Sequence, residues 1–295
     1  MTNIRAKKDP EARRFEMSID IDAPADAIWD ALTNAEELTR WFPLEARVIP
    51  GEGGSMFWGW GEGWAGESKI TAWEPNRRLK LVETRQGFDA DGKPLADPHQ
   101  NRDLVVEVTL ESQAGSTRVR LVHSGFGHGA NWDDELDGIS TGWQCELRNL
   151  KHYVERHRGR DRVLAWAKGS SDLPQREVWA KLLAPGAISL ESTSAADAGD
   201  ESIRLREGDR YSLRFGSHRF EGTVAVSIPD DFVGYVDNLH GGMVRVGTFR
   251  GGGRTGMMLW AVSYDDADAP RLRAFEQDAQ EFLEKTFAKS GSPVV

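Results

Sequence analysis

The residues whose types and spacing suit chemistry in this sequence are tryptophans and one histidine. Trp41, Trp58, Trp60, Trp64 and Trp143 fall in the first half of the chain. Large rings with few polar neighbours make walls for apolar or ring-bearing molecules. The same rings also fill ordinary cores. His123, next to Ser124, is the candidate general acid or base, or hydrogen-bond donor, because imidazole titrates near neutrality. Its alternative is a histidine satisfied by a backbone carbonyl. No nucleophile-elbow sequence surrounds Ser124, so a hydrolase triad is not expected. His123, His128, Asp133, Asp134 and Glu135 match no ligand spacing of a helix or hairpin, and no metal is expected. Gly61-Glu62-Gly63-Trp64-Ala65-Gly66 has the glycine spacing of a dinucleotide loop. That loop needs a helix after it to hold phosphate, and here a strand follows. A hairpin turn is the reading, and no cofactor is expected.

These side chains need elements to position them. Residues 15–21 alternate apolar and polar with period two, as a half-buried strand does. Ala23-Pro24-Ala25-Asp26 starts a helix, with proline and an acid suited to its positive end. Residues 55–60 and 64–73 form a hairpin that puts Met56, Trp58 and Trp60 on one face. In the return strand Gly66, Ser68, Ile70 and Ala72 face inward, and small inward residues leave space. Residues 79–83 make another strand. Residues 86–103, rich in Gly, Pro, Asp and Asn, read as an excursion over a cavity mouth. Strands at 104–110 and 117–123 put Leu104, Val106, Val108, Leu110, Val119, Leu121 and His123 on one face.

A glycine-rich loop with Trp132 and the run Asp133-Asp134-Glu135 leads into a helix at 138–155. Ile139, Trp143, Leu147, Leu150 and Val154 stripe that helix against a polar back of Glu146, Arg148, Lys151 and Glu155. A long helix across a curved antiparallel sheet is the helix-grip plan, an α+β fold with a cavity between the layers. The expected lining is Trp41, Met56, Trp58, Trp60, Trp64, Ile70, Val106, Leu121, His123, Trp143 and Leu147.

With 295 residues, two domains are expected, at 11–160 and 174–289, joined by a linker around residues 156–172. The second reads as a divergent, reduced repeat of the first. Pro174 to Leu182 echoes Pro24 to Leu32, and Leu272, Phe275, Ala279, Phe282 and Leu283 stripe a terminal helix. The net charge of −10 argues against non-specific nucleic-acid binding. Cys145, the single cysteine, forms no internal disulfide, and with no signal-like start at Met1 a cytoplasmic location is expected. No run approaches the roughly 20 apolar residues of a membrane span. The sequence leaves the oligomeric state open.

Arg118 to Phe126, with Gly142-Trp143 and Leu147-Arg148-Asn149-Leu150-Lys151-His152-Tyr153, resembles bacterial homologues of the heat-shock protein 90 ATPase activator, in the START and polyketide-cyclase superfamily. Asp22-Ala23-Pro24, Ile28 to Leu32 and Trp41-Phe42 fit the same likeness, which covers about residues 13–158. It implies a helix-grip fold that binds an apolar small molecule, with no catalytic set shared by this bacterial branch. The second half matches only in its order of elements and lacks the His-Ser-Gly-Phe signature. A cyclase or hydrolase using His123 and a chaperone-type module with a protein partner are the alternatives.

Overall fold

The computed structural model describes residues 4–9, 11–61, 65–85, 102–193, 205–251 and 253–287. Two compact units divide the chain, residues 2–160 and 161–295. The first opens with strands β1 (Arg5–Asp9) and β2 (Arg14–Ile21), then helices α1 (Ala25–Thr33) and α2 (Ala35–Thr39). Pro24 stands at the N-cap of α1, and the Asn34 side chain caps α2 by accepting from the Glu36 and Glu37 amides. Strands β3 (Glu45–Ile49), β4 (Ser55–Gly59), β5 (Ala65–Glu74), β6 (Arg78–Arg85), β7 (Arg102–Gln113) and β8 (Ser116–Ser124) follow, and α3 (Ala130–Arg156) completes the unit.

All neighbours in the sheet are antiparallel, in the order β1-β2-β8-β7-β6-β5-β4-β3. Its inner face is as the period-two pattern predicts: Leu104, Val106, Val108, Leu110, Val119, Leu121 and His123 are all at most 8% exposed. Helix α3 lies against β2 and α1. Two details differ from expectation. The Asp133-Asp134-Glu135 run lies inside α3, which starts eight residues earlier than its apolar stripe suggests. Asp133 in its first turn suits the positive end of the helix dipole and is also held by Arg13, Nη1 to Oδ1 2.6 Å. Arg148, assigned to the polar back, is buried and donates to the Gln144 carbonyl at 3.0 Å. In β5, Ser68 and Ile70 are buried as expected, but a bulge between Ile70 and Ala72 puts Ala72 opposite Lys80. Trp73 then pairs with buried Leu79 and meets Trp29 of α1 edge to face at 5.1 Å, so it is Trp73, not Ala72, that shares the face of Leu79.

The second unit contains β9 (Val163–Ser171), α4 (Gln175–Leu182), β10 (Ile188–Ser192), β11 (Arg210–Phe215), β12 (His218–Ile228), β13 (Asp231–Val236), β14 (Gly242–Gly251), β15 (Arg254–Ser263) and α5 (Ala269–Phe287). The stretch expected to end in a linker is therefore a strand, β9, paired along its length with β15. The sheet order β10-β11-β12-β13-β14-β15-β9 repeats, strand for strand, the order β3-β4-β5-β6-β7-β8-β2. What is shorter in the second copy is its helical part: α5 has 19 residues against 27 in α3.

One corner repeats at the level of single atoms. Thr117 Oγ1 donates to the Ala23 carbonyl at 2.8 Å, and Thr255 Oγ1 donates to the Leu173 carbonyl at 2.7 Å, each acceptor standing just before a helix-starting proline. Superposing the registers on this corner puts Ala261, opposite Ala165, where the first unit has His123 opposite Phe15. The interior of the second unit is filled by Tyr211, Phe215, Phe220, Phe232 and Phe275 with the aliphatic stripe of α5.

Candidate functional site

Trp58 sits on β4 between Ala46 of β3 and Gly66 of β5, directly opposed by both. Small neighbours on both sides leave the indole room on its face of the sheet. Met56, two residues away on the same face, is fully buried, whereas Trp58 and Trp60 are half-buried. Trp60 lies just past the end of β4.

The segment after α2 brings up the rest of the wall. Trp41 is buried, and its Nε1 donates to the Ala31 carbonyl at 2.9 Å. Its own carbonyl accepts from Asn149 Nδ2 of α3 at 2.5 Å. Next to it, Phe42 is half-buried and stands at the centre of four indoles. Its ring centroid is 5.0 Å from Trp41 and 5.7 Å from Trp143, at interplanar angles of 20° and 31°. It is 5.4 Å from Trp58 and 5.2 Å from Trp60, at 73° and 80°. The pairs are thus one stacked, one tilted and two edge-on, and the edge-on ones are an arrangement that aromatic quadrupoles favour. Phe42 is the residue that sequence reasoning passes over, because it lies in a short connection with no periodicity to mark it.

The polar end of the site is His123. It packs against Phe126 at 4.9 Å and Phe15 at 5.5 Å, and its Nδ1 accepts from Trp143 Nε1 at 3.3 Å. Indole nitrogen is a donor only, so the neutral imidazole carries its proton on Nε2. A second polar group comes from β6. Leu81 and Leu104 are inner-face residues, and the register places Glu83 two residues beyond Leu81 and opposite Leu104. Glu83 therefore shares the inner face. Its Oε1 would lie 3.2 Å from a Cβ built at Gly66.

Helix α3 is anchored where it supports this wall. Tyr153 OH donates to Glu37 Oε2 at 2.6 Å and accepts from the Gly159 amide at 2.9 Å, while Arg40 pairs with Glu37. Burial, reinforced by the Glu37 bond, pushes the Tyr153 phenol well above its usual range.

Of the residues expected to line a cavity, the structure brings Trp41, Trp58, Trp60 and Trp143 into one cluster with His123 attached through Trp143. Met56, Ile70, Leu121 and Leu147 are buried to 2% exposure or less, and Val106 to 8%. Trp64 and the excursion at 86–101 lie outside the described residues. Among the described residues no group of three His, Cys, Asp or Glu side chains gathers at metal-binding distance, and no helix is long and apolar enough to cross a membrane.

The sheet gripped by α3 defines a helix-grip α+β domain, and the second unit repeats its topology. Residues 22–155 match the family described as Activator of Hsp90 ATPase homolog 1-like protein. Among solved structures, MLL2253 from Mesorhizobium loti is 21% identical, covering 53% of this chain and 98% of its own, with a TM-score of 0.40. The Aha1 dimer from Colwellia psychrerythraea is 21% identical over 50% of this chain and 98% of its own, with a TM-score of 0.41. DynU16, a protein of the dynemicin biosynthetic locus, is 16% identical over 93% of this chain and 96% of its own, with a TM-score of 0.40. No curated protein matches the chain.

Proposed function

We propose that the first domain binds an apolar, ring-bearing small molecule between its sheet and α3, without catalysing a reaction on it. The observation that carries this reading is the half-buried cluster of Phe42, Trp58, Trp60 and Trp143. An aromatic core that only stabilises a fold is drawn fully inside, as Trp41 is. Four rings left partly open beside glycine and alanine offer surface to a guest. His123 fits a binding role better than that of a base, because Trp143 already engages its Nδ1 lone pair. The second domain is a structural partner. Its interior is filled by its own rings, and alanine stands where the histidine would be.

Native mass spectrometry of the purified chain, followed by organic extraction, tests the reading. A co-purifying apolar compound that quenches tryptophan fluorescence when added back is the expected result. A bare-protein mass, with no response to a panel of lipids and polyketides, would overturn it.

A further inference from the structure

We propose that Phe42 is an internal stand-in for the ligand's own ring, and that the Trp58 indole N–H recognises a neutral hydrogen-bond acceptor on a flat aromatic guest. The proposal rests on the binding role above and narrows the chemistry of the guest. Phe42 occupies the centre of the indole cage in the orientation a guest ring would take, stacked on Trp41, tilted against Trp143 and edged by Trp58 and Trp60. It hangs from the connection between α2 and β3. The amide hydrogen bond of Phe42 to the Leu38 carbonyl, 2.9 Å, involves the main chain only, so a rotamer change empties the cage without unfolding the segment.

The cage also holds an unanswered donor. Trp41 and Trp143 direct their N–H groups to the Ala31 carbonyl and to His123. Trp58 Nε1 is buried and meets no acceptor among the described residues. A buried donor without a partner is costly, and an acceptor on the guest would relieve that cost. Phe42 cannot supply one. A neutral acceptor suits the site better than an anion, because the Glu83 carboxylate approaches Gly66, the direct neighbour of Trp58. Aromatic ketones and quinones satisfy these conditions. Fatty acids do not.

Calorimetric titration of the full chain with fluorene and 9-fluorenone, tricycles of one shape that differ by a methylene and a carbonyl, separates the parts of the proposal. Fluorenone should bind about 10-fold tighter than fluorene. Phe42→Ala should strengthen both about 10-fold and keep their ratio, and Phe42→Leu serves if near-ultraviolet dichroism shows the alanine variant to be misfolded. Trp58→Phe should bring the two affinities together. Equal affinities in the wild-type chain, a ratio that survives Trp58→Phe, or weaker binding in both Phe42 variants would overturn the proposal. Decanoate or another lipid binding while neither tricycle does would sink it alone and leave the binding role standing. No binding by tricycles or lipids would remove both.

Discussion

An indole N–H can only donate, and this fixes the state of the imidazole it meets. With Trp143 donating to Nδ1, His123 presents an N–H at Nε2. Nitrogen-15 shifts of the His123 ring should report the Nε2–H tautomer in the native chain and a mixture of tautomers in Trp143→Phe. Persistence of one tautomer in the variant would show that another contact sets it. The position of His123 was legible from the sequence, since strict alternation carries it onto the face of Val119 and Leu121. Its tautomer was not, because Trp143 lies twenty residues away on another element. Phe42, noted only for its family likeness, was left out of the expected lining for the opposite reason. It has no period to betray it, and its meaning comes only from the four rings that converge on it.

At the scale of elements, α3 is held by a buried polar knot that joins it to α2. Tyr153→Phe removes the donor to Glu37 and the acceptor of the Gly159 amide, and should cost about 1–3 kcal/mol in urea unfolding. A variant as stable as the native chain would mean the knot is not structural. Just past the same helix end, burial, helped by His152 and by the nearby arginines, lowers the His157 pKa from 6.5 to about 4. The folded state thus resists protonation that the unfolded chain accepts. Stability should be complete above pH 6.5 and fall as pH drops towards 4, by on the order of 3 kcal/mol. His157→Gln should flatten that slope, which unfolding at pH 7.5 and 4.5 would reveal. The apolar stripe predicted α3 itself. Its early start was hidden because glycines and acids before residue 138 look like a loop until Arg13 and the helix dipole are both considered.

Across the whole molecule, one topology occurs twice. The repeat was visible in the sequence through its two proline-started helices and its terminal stripes. Strands β9, β10 and β13 were not anticipated; β9 depends on β15, far along the chain, whereas β10 and β13 pair with strands next to them in sequence. The second copy also carries a bidentate ion pair between Arg245 and Asp231, Nε to Oδ1 3.1 Å and Nη2 to Oδ2 2.6 Å, both residues at most 6% exposed. Asp231 lies so close over Gly247 that a Cβ there would meet its Oδ1 at 2.8 Å. Asp231→Ala removes the bidentate partner of a buried guanidinium and should cost about 3–5 kcal/mol in chemical denaturation. A loss below about 1 kcal/mol would show that water reaches the arginine.

The bulge in β5 has a mechanical consequence. Between the pairs Ile70–Leu81 and Trp73–Leu79, β5 takes three residue steps while β6 takes two. Two bonded edges of unequal arc length must curl, as a bimetallic strip does. Thr71 is the surplus residue, and it lies beside the contact between Trp73 and Trp29. Excising it would leave every neighbour on its own face and relax the local bend, so the extra residue itself contributes to the curl of the sheet at α1.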